Sequence, residues 1–330
     1  MAGKTRLRIV RFCRDYHDVV DAAFLRDFPE VSVVKPVTVD ELAAALPGAD
    51  VMHINDSFFT PEVAAALAAH GKDLKWIQFT TVGTDHAEAA GIPPQVVVTN
   101  IGDVRQRILA GHAMGLMLCL LRGIHDYAPF RAKREWAREE MFPFIQVTEG
   151  ATLLICGMGK IGQDIARKAK AFDMNVICVT RAAEPASAHI DRVVARENIR
   201  DVLPEADVVM VAMPLDDATR GFIGKAELAA MKKSAILVNI SRGPVVDEAA
   251  LIDCLAAKGI RGAALDVYED EPLPADSGFW PLENLLMTPH IGGQGGDDQW
   301  TALSVLVRDN TRRYLEGKPL RNVVKTPAGT

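Results

Sequence analysis

The chain is predicted to fold as two α/β domains, each built on a doubly wound parallel sheet. Three observations lead there. Its 330 residues exceed what a single hydrophobic core usually holds. Short apolar runs of strand length alternate with Ala-rich helical stretches over the first hundred residues, and the alternation resumes after residue 150. Apolar strands separated by helices indicate parallel sheets covered on both faces.

In the first series the strands are Leu7–Phe12, Val31–Val34, Val51–Ile54, Trp76–Phe79 and Val96–Val98. Thr60-Pro61-Glu62 starts a helix well, with a capping hydroxyl, a proline in the first turn and an acid facing the positive end of the dipole; Gly71 stops it. Ile108–Leu121 is apolar on nearly every face and is expected to be a buried helix, its Ala110, Gly111, Ala113 and Gly115 allowing close backbone approach. His112, alone in that run, is expected to pack rather than to bind a ligand. The second series places strands at Ala151–Cys156, Val176–Val179, Val208–Ala212, Ile236–Ile240, Ala263–Asp266 and Leu285–Met287, with helices at Gln163–Phe172 and Glu248–Lys258. Trp300–Leu315 reads as an amphipathic helix leading to an extended tail, Leu320–Val324.

Composition narrows the function. Hydrophobic residues at 49% and charged residues at 24% are those of an ordinary globular protein. The longest apolar stretch, Ala110–Leu121, is too short to cross a bilayer, and Met1–Arg6 lacks the features of a signal peptide, so a cytoplasmic protein away from membranes is expected. A net charge of −6 argues against nucleic acid or anionic lipid as partner, and an anionic substrate would need local cations to overcome it. Cys13, Cys119, Cys156, Cys178 and Cys254 are scattered without a CxxC, and no histidines form an HExxH, so neither disulfides nor a metal are expected.

The run Ala151–Cys156 feeds into Gly157-Met158-Gly159-Lys160-Ile161-Gly162 and then a helical pattern. Glycine is needed first for a tight turn, second so that backbone can reach a pyrophosphate, and third for close helix–strand packing. The helix N-terminus then faces the phosphates. Strand, GxGxxG and helix in that order predict a dinucleotide site of the Rossmann type. The next strand ends in Thr180-Arg181, where an NAD site usually has an acid. A hydroxyl and a guanidinium suit a 2′-phosphate, which favours NADP(H), with NAD(H) as the alternative if Arg181 is merely solvated.

Three later strand ends carry chemistry. Ala235–Ile240 leads to Ser241-Arg242-Gly243, Ala263–Asp266 to Glu271-Pro272, and Leu285–Met287 to Thr288-Pro289-His290. Ligands in open α/β sheets bind at carboxyl strand ends, so a cation, an acid and an imidazole share one rim.

On these motifs the chain resembles the D-isomer-specific 2-hydroxyacid dehydrogenases, among them glyoxylate/hydroxypyruvate reductases, D-lactate dehydrogenases and D-3-phosphoglycerate dehydrogenases. The resemblance covers nearly the whole chain: Val82-Gly83-x-Asp85, the glycine turn, Val211–Leu215 with Thr219, Asn239–Glu248, Ala264–Tyr268 through Glu271-Pro272, and Thr288–Gly293. It implies Arg242, Glu271 and His290 as the catalytic triad. Arg242 would bind and polarise the 2-oxo acid, His290 would exchange the proton, and Glu271 would orient the ring. Substrate contacts are implied at Val82 and Gly83, and further cofactor contacts at Met213, Pro214, Thr219, Ile240, Ser241, Asp266 and Gly293. It also implies a Rossmann NAD(P)-binding domain, residues 103–297, inserted into a discontinuous flavodoxin-like substrate domain, residues 1–102 and 298–330. A homodimer through the cofactor domain is implied, with an arm around residues 125–147 in which Trp136, Met141, Phe142 and Phe144 are apolar.

Some positions depart from the family pattern. Leu109-Ala110-Gly111 replaces a Val-Ala-Glu run, and Arg105-Gln106-Arg107 is unusually basic. Val82 stands where phosphite dehydrogenases have lysine, and the Gln-Pro of formate dehydrogenases is absent. A dinucleotide-sensing corepressor is a reading of a different class, separable by whether any 2-oxo acid is turned over.

Overall fold

The computed structural model describes residues 7–13, 18–181 and 188–327, without the side chains of 18, 19 and 296–299. In chain order it begins with β1 (Arg8–Phe12), α1 (Asp18–Asp27), β2 (Ser32–Val34), α2 (Val39–Ala45), β3 (Val51–Ile54), α3 (Pro61–His70), β4 (Trp76–Phe79), α4 (Asp85–Ala90) and β5 (Val97–Thr99). There follow α5 (Gln106–Leu121), α6 (Ala128–Lys133), β6 (Thr152–Cys156), α7 (Lys160–Lys170), β7 (Asn175–Thr180), β8 (Arg192–Ala195), α8 (Ile199–Val202), β9 (Val208–Val211), α9 (Lys225–Ala230), β10 (Ile236–Asn239), α10 (Glu248–Ala256), β11 (Gly262–Leu265) and β12 (Leu285–Met287). The chain ends with α11 (Gly296–Leu315) and β13 (Val323–Lys325). Two compact units result, one of residues 1–105 with 295–330 and one of residues 106–294.

The first unit holds a six-stranded sheet in the order β13-β5-β4-β3-β1-β2. Its five leading strands run parallel in the 2-1-3-4-5 flavodoxin-like order, and only β13 is antiparallel. The tail predicted as merely extended therefore becomes an edge strand. One face packs Leu42, Val63 and Leu67 of α2 and α3; the other packs Phe24 of α1 with Leu303, Leu306 and Val307 of α11. Thr60 caps α3 by accepting from Val63 N, as its hydroxyl suggests. A buried polar chain fixes the returning helix. Trp76 Nε1 donates to Thr99 Oγ1 (2.7 Å), Thr99 Oγ1 to Gln78 Oε1 (2.8 Å), and Asn310 Nδ2 to the same Gln78 oxygen (3.1 Å). Asn310 Oδ1 accepts the Arg321 N–H at 2.8 Å, fixing where the chain turns toward β13. Losing one partner of such a buried chain costs about 1–3 kcal/mol, so α11 has one register here.

The second unit is a seven-stranded parallel sheet, β12-β11-β10-β9-β6-β7-β8. Strand order reverses at β6, the switch point where ligands enter such sheets. α5 and α7 cover one face and α8 to α10 the other. Two expectations need correcting. β8 was not foreseen, because its apolar part, Val193-Val194-Ala195, is only three residues long, half-buried and set between charged neighbours. α5 is not buried all round: Ala110, Ala113, Met114 and Met117 pack inward, but Gly111 and Gly115 face outward, with no atom within 4 Å of where a Cβ would stand. Among the described residues no helix is long and apolar enough to cross a membrane, and no cluster of three or more metal-ligating side chains occurs.

Candidate active site

The glycine turn lies between β6 and α7. Gly157 has φ 115°, and a Cβ there would stand 2.6 Å from the Ala212 carbonyl oxygen. A Cβ on Gly162 would stand 2.0 Å from the Gly157 oxygen, so helix and strand touch through bare backbone. Gly159, the N-cap of α7, has nothing within 4 Å on its Cβ side. The three glycines therefore do different work: two close the fold, and the middle one leaves room for a group to approach the helix N-terminus. The turn fits a pyrophosphate, with Met158, Lys160 and Ile161 around it.

Neighbouring strand ends complete the rim. β7 ends at half-buried Thr180, followed by exposed Arg181. After β9, Met213 is buried, and an irregular stretch through Pro214 leads to a turn at residues 217–221. Thr219 was expected to face a cofactor, but it is fully buried and its hydroxyl is taken up by Pro214 O (2.8 Å) and Asp216 N (2.6 Å). Its place is to hold the turn's shape.

β10 delivers Arg242 through a turn shaped by buried Asn239. The Asn239 Oδ1 accepts from Ser241 N (3.1 Å) and Oγ (3.0 Å), and its Nδ2 donates to Arg242 O (2.9 Å). Ile240 is buried beneath, and Arg242 Nη1 donates to Ser241 O at 2.7 Å. Gly243 lies against the Tyr268 backbone, where any Cβ would come within 1.9 Å of a carbonyl carbon. That contact brings the β10 turn beside the loop carrying Glu271.

His290 Nδ1 lies 2.6 Å from Glu271 Oε2, while Glu271 Oε1 accepts the Tyr268 N–H at 2.9 Å. Both side chains are partly exposed. The hydrogen bond to Glu271 raises the His290 pKa above its ordinary value; burial and the charge of Arg242 oppose this, and the charges of Glu271 and Asp266 support it. Burial works to raise the Glu271 carboxyl, but bonds from His290 and Tyr268 and the charges of His290 and Arg242 leave it below the usual range. Arg242, Glu271 and His290 are thus one coupled electrostatic group.

His290 has φ 53°, an uncommon left-handed conformation for a residue with a side chain. Buried Asp266 holds it there. Its Oδ1 accepts from Thr288 Oγ1 (2.6 Å) and Ile291 N (2.9 Å), its Oδ2 from Gly292 N (2.8 Å), and His112 Nε2 lies 3.4 Å away. His112 Nε2 also lies 3.2 Å from Thr288 Oγ1. Burial works to raise the Asp266 carboxyl; the bonds from His112, Thr288, Gly292 and Ile291 win and lower it. Gly293 closes the same turn, half-buried.

Val82 and Gly83 lie in the first unit, after β4. Their carbonyls are held by Asn100 Nδ2 (2.7 Å) and Thr81 Oγ1 (3.0 Å), and the Val82 side chain is exposed.

Residues 114–292 match the family model for the D-isomer specific 2-hydroxyacid dehydrogenase, NAD binding domain. The chain belongs to this family. It is 34% identical over 304 residues to a D-3-phosphoglycerate dehydrogenase of Methanocaldococcus jannaschii, covering 92% of this chain but only 57% of that longer protein. It is 33% identical to a glycerate dehydrogenase of Methylorubrum extorquens, covering 87% of this chain and 89% of the relative. Among solved structures it is similar to an NADPH-dependent glyoxylate/hydroxypyruvate reductase from Sinorhizobium meliloti in complex with NADP and sulfate. That likeness has a TM-score of 0.83 and 26% identity, and covers 98% of this chain and 100% of that one.

For this dehydrogenase-family chain, sequence reasoning missed the group fastening the His290 loop. His112 was expected only to pack, yet its ring meets Thr288 and Asp266. Thr288 went unremarked beside Pro289 and His290. A hydroxyl and an acid at adjacent strand ends were the available signal, but pairing them requires knowing that β11 and β12 are neighbours.

Proposed function

We propose that the protein is an NADP(H)-dependent dehydrogenase that reduces a small 2-oxo acid, glyoxylate or hydroxypyruvate in class, to its D-2-hydroxy acid, and catalyses the reverse. The observation carrying the reading is the 2.6 Å contact between His290 Nδ1 and Glu271 Oε2 at strand ends that also present Arg242. Because Glu271 occupies Nδ1, Nε2 is the nitrogen left to face substrate. Arg242 binds the planar carboxylate and draws electron density from the 2-oxo group, a task suited to guanidinium geometry. A bound reduced nicotinamide supplies the hydride. His290 gives its Nε2 proton to the oxygen on which negative charge grows, and in oxidation takes that proton back. The upward shift of its pKa by Glu271 favours the protonated ring that reduction needs.

The glycine turn and α7 N-terminus support a dinucleotide, and Thr180-Arg181 at the end of β7, where an NAD site usually has an acid, supports the phosphorylated form. Exposed Trp136, Phe142 and Phe144 support a homodimer through the second unit.

The test mixes the protein with NADPH or NADH and glyoxylate, hydroxypyruvate, pyruvate or phenylpyruvate, following loss of reduced-nicotinamide absorbance. We expect turnover with at least one small 2-oxo acid and a lower KM for NADPH. His290→Ala should reduce kcat by about 10²–10⁴-fold with NADPH affinity within about twofold. Tight NADPH binding without consumption of any 2-oxo acid would turn the reading toward a sensor.

A further inference from the structure

At the edge of the second sheet, β8 pairs in parallel with β7 and the register sets Ala195 opposite Thr180. The residues that follow, Arg181 and Arg196, therefore leave the same sheet edge on strands about 4.8 Å apart. From Arg196 the chain turns helically through Asn198 into α8, so Arg200 lies one turn beyond Arg196 on the same side. The three arginines line one cavity of about 450 Å³ over Ile199 and Phe222, with Glu197 and Glu227 as its acids.

The charges there are unequally committed. Glu227 is satisfied: Oε1 accepts from Arg200 Nε at 2.8 Å and Oε2 accepts the Gly224 N–H at 3.1 Å. Asp216, outside the cavity lining, lies within electrostatic range of Arg196, and its Oδ1 accepts the Ala218 N–H at 2.9 Å. Among the described residues, Arg196 Nη1 donates to the Ala218 carbonyl at 3.4 Å, and its guanidinium lies 5.8 Å from the Phe222 ring centre. Its Nε is buried with no acceptor among the described residues. Among the lining residues, with Arg200 paired to Glu227, Arg181 and Arg196 stand against Glu197, an excess of positive charge suited to a compact anion. The cavity is at the β7–β8 edge of the sheet, away from the β10–β12 ends that carry Arg242, Glu271 and His290, so the substrate carboxylate does not account for it.

We propose that this cavity seats the adenosine 2′-phosphate of NADP(H), with Arg196 and Arg200 as specificity-determining residues beside Arg181. The assignment rests on the NADP(H) reading above and extends it to residues outside the glycine-turn motif. A phosphate dianion accepts charge-assisted bonds from the Arg196 fork and Arg181, and Arg200 adds its charge from the Glu227 pair.

The test uses the full chain with adenosine 2′,5′-bisphosphate, 5′-AMP and inorganic phosphate as calorimetric probes, alongside KM for NADPH and NADH. Wild type should bind the bisphosphate at least about tenfold more tightly than 5′-AMP. Arg196→Gln should remove most of that gap and raise the KM for NADPH about tenfold, leaving the KM for NADH within about twofold. Arg200→Gln should shift the same ratio less, because Glu227 already shares its charge. If Arg196→Gln lowers Tm, Arg196→Lys carries the same measurement, with charge kept and the fork lost. An unchanged NADPH-to-NADH ratio in the Arg196 variants overturns the assignment and leaves an NADP(H) preference through Arg181 standing. A wild type that prefers NADH overturns both. Equal loss with both cofactors, or inorganic phosphate competing as well as the bisphosphate, also overturns it.

Discussion

At the scale of single residues, the proposed chemistry turns on which protonation state of His290 is stable near neutral pH. An isolated imidazole has a pKa near 6.5 and would be mostly neutral there. The Glu271 bond moves it upward, against burial and Arg242. Reduction needs the protonated ring, so kcat/KM for the 2-oxo acid should hold at low pH and fall as pH climbs through this raised pKa. Oxidation of the hydroxy acid should show the opposite limb. Glu271→Gln removes the main raising partner and leaves burial and Arg242, both lowering, against the weaker pull of Asp266. The falling limb should then move to lower pH, and reduction at neutral pH should drop about tenfold or more. A pH–rate profile of both proteins measures this; an unmoved limb would mean that Glu271 does not set the proton affinity of His290.

At the scale of elements, the glycine turn separates two functions that its motif blends. Gly162 meets the Gly157 carbonyl oxygen so closely that a methyl group must push α7 off β6, at a cost of about 1–3 kcal/mol or more. Gly159 has ordinary backbone angles, φ −69° and ψ −179°, and open space where its side chain would be. Gly162→Ala should therefore lower Tm by several degrees and weaken NADPH binding with it. Gly159→Val should leave Tm within about a degree while raising the NADPH Kd about tenfold or more, since it fills only the approach to the helix N-terminus. Thermal melts and titrations of both variants check the split; equal melting losses would remove the distinction.

The same elements indicate what sequence could and could not yield. Parallel strands buried on both faces write themselves as apolar runs, so both sheets were legible, as were the loops at their carboxyl ends. β8 was not, because its three apolar residues sit half-buried at the sheet edge between charged neighbours and do not stand out from a loop. Arg196 was lost with it, since only the β7–β8 register places it beside Arg181. Thr219 was misread as facing outward because a motif does not say where a hydroxyl bonds. His112 was underrated because its partners stand 154 and 176 residues further along the chain.

At the scale of the whole molecule, the segment following α5 is hard to explain for a chain on its own. Ile124 is 63% exposed, Trp136 88%, Phe142 55% and Val147 67%, while Met141 turns inward against Gly123. Yet the segment is anchored: Gln146 N donates to Leu121 O at 2.7 Å, and Arg261 Nη2 donates to Phe144 O at 2.6 Å. An ordered segment that exposes several large apolar side chains has the character of an interface rather than of a loose loop. Burying a tryptophan of that exposure contributes about 2–3 kcal/mol on each side of a symmetric contact. Light scattering after gel filtration should therefore give twice the chain mass at micromolar concentration. Trp136→Glu places a charge at that surface's most exposed apolar side chain and should give a single-chain mass, with Tm little changed because so exposed a side chain adds little to its own unit. Because Arg242, Glu271 and His290 all belong to one chain, NADPH binding should survive in the variant within about twofold. A wild-type protein that runs as a single chain under these conditions would refute the dimer without touching the proposed chemistry.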